Sequence, residues 1–299
     1  MIANRQIGGR SLPEKPKSQQ ISNPGGQSRL RPVEGRHNAL VKDLRRAFAG
    51  GELTPEGDCA IEGIRIIEEA VRSGLKFRAI FFRNSASNIT GRLLPQMAAR
   101  VETLLLPDKL FDGSVPSDTP QGVAALVRCP RLSLEDVLRQ APAGPLLAIA
   151  GVQDPGNLGT ILRSAEAFGA GGVLLGEGTA GPFNSKVVRA SAGSVFRLPL
   201  ARAKLEEALP QMRAQGLRLV ATSSHNSKPL GEADLSGPLA IFIGSEGAGL
   251  PRELLAHMDQ AVAIEHSANV ESLNAGVAAS IVLYEAARRR KSGLDSIPR

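Results

Sequence analysis

The chain has 299 residues, 42% of them hydrophobic and 22% charged, a composition that excludes a wholly disordered protein and, at roughly 100–200 residues per domain, predicts about two domains. No stretch approaches the roughly 18 consecutive apolar residues of a membrane span, and Met1 to Arg10 lacks the apolar core of a signal peptide, so a soluble, cytoplasmic protein is expected. Two cysteines, Cys59 and Cys129, are too few for a disulfide framework or a Cys-only metal site, the four histidines are scattered, and no metal is expected.

Residues 1–30 are rich in Gly, Pro, Ser, Gln and basic side chains without an apolar period, which predicts a disordered leader. Within residues 1–50, ten Lys and Arg face three acidic residues, a surplus of seven that equals the formal net charge of the whole chain. Such an arm suits a polyanion, because each phosphate neutralised releases condensed counterions; a solvated tail remains the alternative. One Tyr, nine Phe and no Trp argue against stacking of single-stranded bases on an aromatic platform, leaving phosphates, shape and polar groups as the handles for a nucleic acid.

A first α/β unit is expected over residues 31–128. Leu40, Leu44 and Phe48 share one stripe of a helix over His37–Phe48, and a second amphipathic helix covers Ile64–Val71. Lys76–Phe82, Val101–Leu106 and Gln121–Val127 are strand-length apolar runs. Residues 129–145, ending in Ala-Pro-Ala-Gly-Pro and holding a short helix near Leu134–Arg139, are expected to link to a second unit over residues 146–291, followed by a tail at 292–299. There, short buried strands at Leu146–Ala150, Gly172–Leu175, Arg218–Thr222, Leu239–Ile243 and Ala261–Ile264 alternate with helical segments at Gly159–Phe168, Lys186–Ala190, Lys204–Gln215, Arg252–His257 and Leu273–Arg290. That alternation predicts a parallel sheet.

Three segments at strand-to-helix junctions stand where ligands of open α/β sheets collect. Asp154-Pro-Gly-Asn157 leads to Arg163; Asn157 alone could be an N-cap and Arg163 a surface cation. Gly244-Ser-Glu246-Gly-Ala-Gly249 follows an apolar strand, and its glycines let a ligand approach the backbone. Neither a GxGxxG spacing in the right context nor a GxxxxGK[ST] loop is present, which argues against NAD and P-loop nucleotides. Ser272-Leu273-Asn274 opens a helix whose small residues, Ala275, Gly276, Ala278, Ala279 and Ser280, permit close packing against another backbone.

In this order and at these separations the three segments resemble the motifs of the SpoU/TrmH family of RNA ribose 2′-O-methyltransferases, over roughly Leu146–Arg290. Lys186-Val-Val-Arg189-Ala-Ser191-Ala-Gly193 matches a further family segment, and residues from about Arg29 to Val127 look like the family's upstream substrate-binding domain. The resemblance implies an α/β fold in which a knotted (deep trefoil) parallel-sheet methyltransferase domain is preceded by a small α/β substrate-binding domain. It also implies S-adenosylmethionine as methyl donor, RNA as partner, and a homodimer with active sites at its interface. By the same resemblance, Thr222, Gly244, Gly249, Ile264 and Leu273 hold the cofactor. Asn157, Arg163, Glu246, Ser272 and Asn274 are the catalytic candidates. Lys186, Arg189, Arg36 and Lys42 are candidate RNA contacts.

One departure stands out, since Ile264-Glu265-His266 replaces the family's Ile-Pro-Met. His266 is either a replacement acid or base or a tolerated substitution at the rim of the pocket. A guanidinium stays protonated at neutral pH, so Arg163 is assigned to a phosphate beside the target ribose rather than to proton abstraction. Ser272 or a water would take part in proton removal, with Glu246 as the alternative acceptor or as a brace for the loops. The run Arg288–Lys291 is expected to be cations at a helix C-terminus. The upstream domain leans toward rRNA as substrate, with tRNA the nearest alternative; a catalytically inactive RNA-binding or ribosome-assembly protein of the same fold is the reading from a different class.

Overall fold

In a chain of alternating short apolar runs and amphipathic segments, the runs pair as strands and the segments cover them, and two sheets result. A computed structural model describes residues 29–33, 35–140, 144–223, 227–267, 269–270 and 272–295; of the leader expected over 1–30, residues 1–28 lie outside them.

The first unit contains β1 (Arg31–Pro32), α1 (Ala39–Gly50), β2 (Asp58–Glu62), α2 (Ile64–Arg72), β3 (Lys76–Arg83), α3 (Ser87–Leu93), β4 (Glu102–Leu106), α4 (Asp108–Asp112) and β5 (Val123–Arg128). Its five strands lie in the order β1-β4-β3-β5-β2, with β5 antiparallel to both β2 and β3. Asn38 caps α1, its side chain accepting from the Leu40 and Val41 amides, and Gly51 ends the helix in the left-handed region. Strand β2 is buried along its whole length although it begins and ends on a carboxylate. Asp58, wholly buried, is tolerated because Arg78 and Arg128 donate to its two oxygens at 2.9 and 2.7 Å.

The segment expected as a linker holds α5 (Leu134–Gln140). The second unit follows as β6 (Leu146–Ile149), α6 (Pro155–Ala167), β7 (Gly172–Leu175), α7 (Ser185–Ala190), β8 (Leu200–Arg202), α8 (Leu205–Ala214), β9 (Arg218–Thr222), β10 (Lys228–Pro229), β11 (Leu239–Ile243), α9 (Arg252–Leu255), β12 (Gln260–Ala263) and α10 (Ala275–Asp295). Its seven strands run in the order β10-β12-β9-β11-β6-β7-β8, and every pairing is parallel. The fold is therefore the expected α/β arrangement, a parallel-sheet unit preceded by a smaller α/β unit. Helix α10 continues to Asp295, four residues into the segment expected as a tail.

Helix α6 lies between α7 and α10, and missing side chains let it approach both. A Cβ on Gly159 would meet the Val187 carbonyl oxygen at 2.9 Å, and one on Gly276 would meet Thr160 at 3.1 Å. Ser164 and Ser280 share a hydrogen bond of 2.6 Å across the α6–α10 contact, so the small-residue stretch of α10 does pack closely on a neighbouring helix. The run Arg288–Lys291, expected at a helix C-terminus, lies inside α10, which continues to Asp295. Instead Arg289 donates to the Leu230, Gly231 and Ala233 carbonyls and Arg290 to those of Phe168 and Gly169, so these cations tie loops to the helix. Among the described residues no helix is long and apolar enough to cross a membrane, and no group of three or more His, Cys, Asp or Glu side chains could hold a metal ion.

Candidate active site

Residues from three distant segments meet at the N-terminal end of α6. The helix begins with Asp154 as its N-cap and Pro155 in its first turn, and the Asp154 carboxylate accepts from the Asn157 amide at 2.8 Å. Asn157 is therefore not the cap, and its side chain is free to reach outward. Its Nδ2 donates to Glu246 Oε1, its Oδ1 accepts from Asn274 Nδ2 at 2.8 Å, and Asn274 Nδ2 also lies 3.3 Å from Glu246 Oε1. Asn274 in turn caps α10, its Oδ1 accepting from the Gly276 and Val277 amides at 3.0 and 3.2 Å. One carboxylate thus ties together the start of α6, the loop after β11 and the start of α10. Positions 157 and 274 are 117 residues apart in sequence.

The loop after β11 is drawn closed. Ser245 and Gly249 exchange backbone hydrogen bonds of 3.1 and 3.0 Å, with Gly249 at φ +66°, a conformation that favours glycine. Gly244 is buried, and a Cβ there would meet the Gly249 carbonyl oxygen at 2.5 Å and crowd the adjacent Gly249 and Leu250 backbone. The glycine is required by backbone contact, independent of any ligand.

Thr222, Gly244 and Ile264 stand at or just beyond the carboxyl ends of β9, β11 and β12, which are consecutive in the sheet order. Thr222 donates from Oγ1 to the Phe242 carbonyl at 3.0 Å, which fixes the end of β9 against β11. Ile264 and Leu273 are only half-buried, so apolar surface borders this row of strand ends. Two apolar side chains and the backbone polar groups of the strand ends suit an adenosine and an amino-acid tail. Beyond the same loop an open cleft of about 550 Å³ takes in Glu246 and Gly249 but none of Thr222, Ile264 or Leu273. Glu177 and Glu206 also line it, and three carboxylates repel phosphate, so an RNA backbone would pass elsewhere.

The remaining candidates stand apart from the hydrogen-bonded cluster. Arg163 and Ser272 are exposed, and neither has a hydrogen-bond or ion-pair partner among the described residues. Six residues along an α-helix turn Arg163 well away from the direction of Asn157. Lys186 and Arg189 are exposed on α7, and Arg36 before α1 and Lys42 on it are exposed. Arg189 acts on Glu62, whose carboxyl burial pushes up while Ser117 and Arg189 oppose the shift. In the departing segment, His266 Nδ1 lies 2.8 Å from the Ile264 carbonyl; a carbonyl only accepts, so Nδ1 carries the proton. The imidazole holds the strand end through that bond, in place of the rigidity a proline would supply.

Comparison with known proteins bears on both units. Residues 145–284 match the SpoU rRNA Methylase family, and residues 60–132 match the domain described as RNA 2′-O ribose methyltransferase substrate binding. The chain is 32% identical over 255 residues to the 23S rRNA (guanosine(2553)-2′-O)-methyltransferase RlmP of Bacillus subtilis, covering 85% of this chain and 98% of the relative. An AdoMet-bound rRNA methyltransferase from Sinorhizobium meliloti superposes with a TM-score of 0.73 at 30% identity, over 87% of this chain and 98% of that one. The SpoU methyltransferase AviRb from Streptomyces viridochromogenes, in complex with AdoMet, gives a TM-score of 0.73 at 28% identity, over 85% and 99%.

Proposed function

The chain belongs to the SpoU rRNA methylase family of S-adenosylmethionine-dependent RNA ribose 2′-O-methyltransferases, and on that premise we propose that it methylates a ribose of ribosomal RNA in the cytoplasm, as a homodimer. The observation that carries the catalytic reading is the cluster in which Glu246 holds Asn157 and Asn274 together, because it joins all three motif segments at one point. The substrate-binding match over residues 60–132 and the 23S rRNA activity named for the Bacillus subtilis relative support rRNA.

The residues fit the cofactor. Thr222, Gly244, Gly249, Ile264 and Leu273 would hold it, and when bound it supplies a methyl group on a sulfonium centre. The chain must then align a ribose 2′-hydroxyl and remove its proton. Arg163, a guanidinium without an internal side-chain partner among the described residues, anchors the phosphate beside that ribose. Glu246 braces the loops, since its Oε1 is already occupied by two amide donors. Ser272, exposed and unpartnered among the described residues, takes part in proton removal directly or through a water. Asn157 and Asn274 fix the loop backbone around that space.

A dimer is supported by apolar surface beside the site. Val277 and Tyr284 on α10 are 46% and 54% exposed, and half-buried Ile281 lies between them at helical spacing. Tyr284 stacks edge-on against Phe168 at the end of α6, with ring centroids 5.7 Å apart. A second copy seated on this stripe would cover it and lie close to α6, which carries Arg163. The knotted chain path belongs to the same reading, and the meeting of the α6 and α10 starts around the β11 loop supports it. Lys186, Arg189, Arg36, Lys42 and the basic arm are assigned to RNA phosphates.

Mass-spectrometric mapping of rRNA from cells with and without the gene tests the substrate. Loss of one 2′-O-methylated nucleotide from rRNA is expected; an unchanged rRNA map with a methyl group lost from tRNA would overturn the choice of rRNA.

A further inference from the structure

Between the two units, one arginine joins the substrate-binding side to the helix that carries the catalytic residues. Arg197 follows the short turn after α7. Its Nη2 donates to Glu166 Oε2 at 2.8 Å and its Nε to Glu166 Oε1, a two-pronged grip on one carboxylate. Its Nη1 reaches the other way, to Glu69 Oε2 at 3.1 Å and Ser73 Oγ at 3.0 Å. Glu166 lies on α6, three residues beyond Arg163, and Glu69 and Ser73 lie on and at the end of α2.

The contact is built rather than incidental. Ala192 and Gly193, at φ +49° and +83°, turn the chain out of α7, and a Cβ on Gly193 would meet Glu69 Cβ at 2.9 Å. One buried apolar cluster includes Ile66 and Ile67 of α2 together with Val195 and Phe196 of the turn. The guanidinium lowers the Glu166 pKa, and Glu166 first and Glu69 second raise that of Arg197. All three side chains keep about a third of their surface in water, so the pairing adds little to global stability. Its consequence is geometric: it fixes the rotation of α6 relative to α2.

We propose that Arg197 is a positioning residue that fixes the substrate-binding unit relative to α6, so that RNA held by the first unit presents its ribose in line with the cofactor. This rests on the RNA methylation reading above. RNA affinity comes from phosphate contacts and cofactor affinity from the strand ends of the second unit, neither of which involves Arg197. Misalignment therefore acts on the reaction step itself, where a displacement near 1 Å can cost on the order of 100-fold.

The test is single-turnover methyl transfer by the full chain at saturating rRNA and cofactor, with binding of each measured separately. Arg197→Ala should lower the transfer rate by roughly 10- to 100-fold and leave both dissociation constants within about twofold of the unchanged chain. Glu69→Ala combined with Ser73→Ala removes both acceptors of the arm to the first unit, leaves the Arg197–Glu166 pair intact, and should reproduce most of the loss. Arg197→Lys, which can hold one carboxylate but cannot fork to both, should recover part of the rate. An unchanged rate in Arg197→Ala, an unaffected Glu69→Ala/Ser73→Ala double variant, or a rate loss matched by equal loss of cofactor affinity would overturn the proposal. Failure of the unchanged chain to transfer a methyl group would instead overturn the function on which the proposal rests.

Discussion

Replacing Gly244 with alanine probes the loop that joins the active-site cluster to the strand ends. The added Cβ would lie 2.5 Å from the Gly249 carbonyl oxygen, whereas real Cβ atoms keep at least 3.0 Å from such neighbours. The loop must open by half an ångström or more, and the neighbours are backbone rather than flexible side-chain ends. Overpacking of this kind costs about 1–3 kcal/mol. The strain falls on the paired Ser245 and Gly249 hydrogen bonds and on Glu246 between them, so it is relieved by displacing the carboxylate that holds Asn157 and Asn274. If the whole cost appears in cofactor binding, affinity falls about 5- to 150-fold, since about 1.4 kcal/mol is tenfold. Calorimetric titration of S-adenosylmethionine into Gly244→Ala and the unchanged chain reads the effect, and thermal melts report what part falls on stability. Unchanged affinity together with an unchanged Tm would refute the reasoning, because it would mean that the loop opens without cost.

Three further outcomes follow from the geometry. Arg163→Ala should lower kcat strongly and leave cofactor affinity nearly intact, because Arg163 touches neither the cluster nor the strand ends; equal losses in both would remove its phosphate role. Tyr284→Glu places a charge in the exposed α10 stripe and should shift sedimentation from dimer to monomer, whereas an unaltered profile would exclude that stripe as the interface. Glu285 is held near a pKa of about 2 by hydrogen bonds from Arg288 and then Arg289. A depressed carboxyl pKa contributes stability above its ordinary value of 4.5, and that contribution is lost as pH falls from there toward 2. Glu285→Gln should flatten this part of the Tm profile, and a parallel acid limb in both proteins would contradict the assignment.

Elements with an uninterrupted apolar pattern were legible from the sequence, and their bounds show why. Gly172–Leu175, Arg218–Thr222 and Leu239–Ile243 are strands at the bounds expected for them, since each is built around at least three consecutive buried residues. Strand β2 was not legible, because Asp58 and Glu62 at its ends look like solvent-facing charges until Arg78, Arg128 and Ser117 are brought against them. Strand β8, three residues long and directly after Pro199, is too short to show a period.

The candidate site divides in the same way. Its three segments could be read from local composition, but the bonds among Asn157, Glu246 and Asn274 could not, because no spacing reports a meeting across 117 residues. Asp154 as the cap was hidden because Asn157 is also a capping residue type. Arg197 carried no signal at all, for its role depends on Glu69 and Glu166, which are 128 and 31 positions away. The Arg288–Lys291 run misled because clustered cations suit a helix end, while the carbonyls that Arg289 and Arg290 bind belong to loops distant in sequence.

The most direct measurement of the central claim is transfer of labelled methyl from S-adenosylmethionine to unmodified ribosomal RNA by the purified chain, with the product located by resistance of one internucleotide bond to alkaline hydrolysis. A single resistant position, formed in stoichiometric yield by the unchanged chain and lost in Arg163→Ala, is the result this account predicts. Cofactor binding without transfer to any ribose of rRNA or tRNA would contradict it, and would make the chain an RNA-binding protein that keeps the fold without the chemistry.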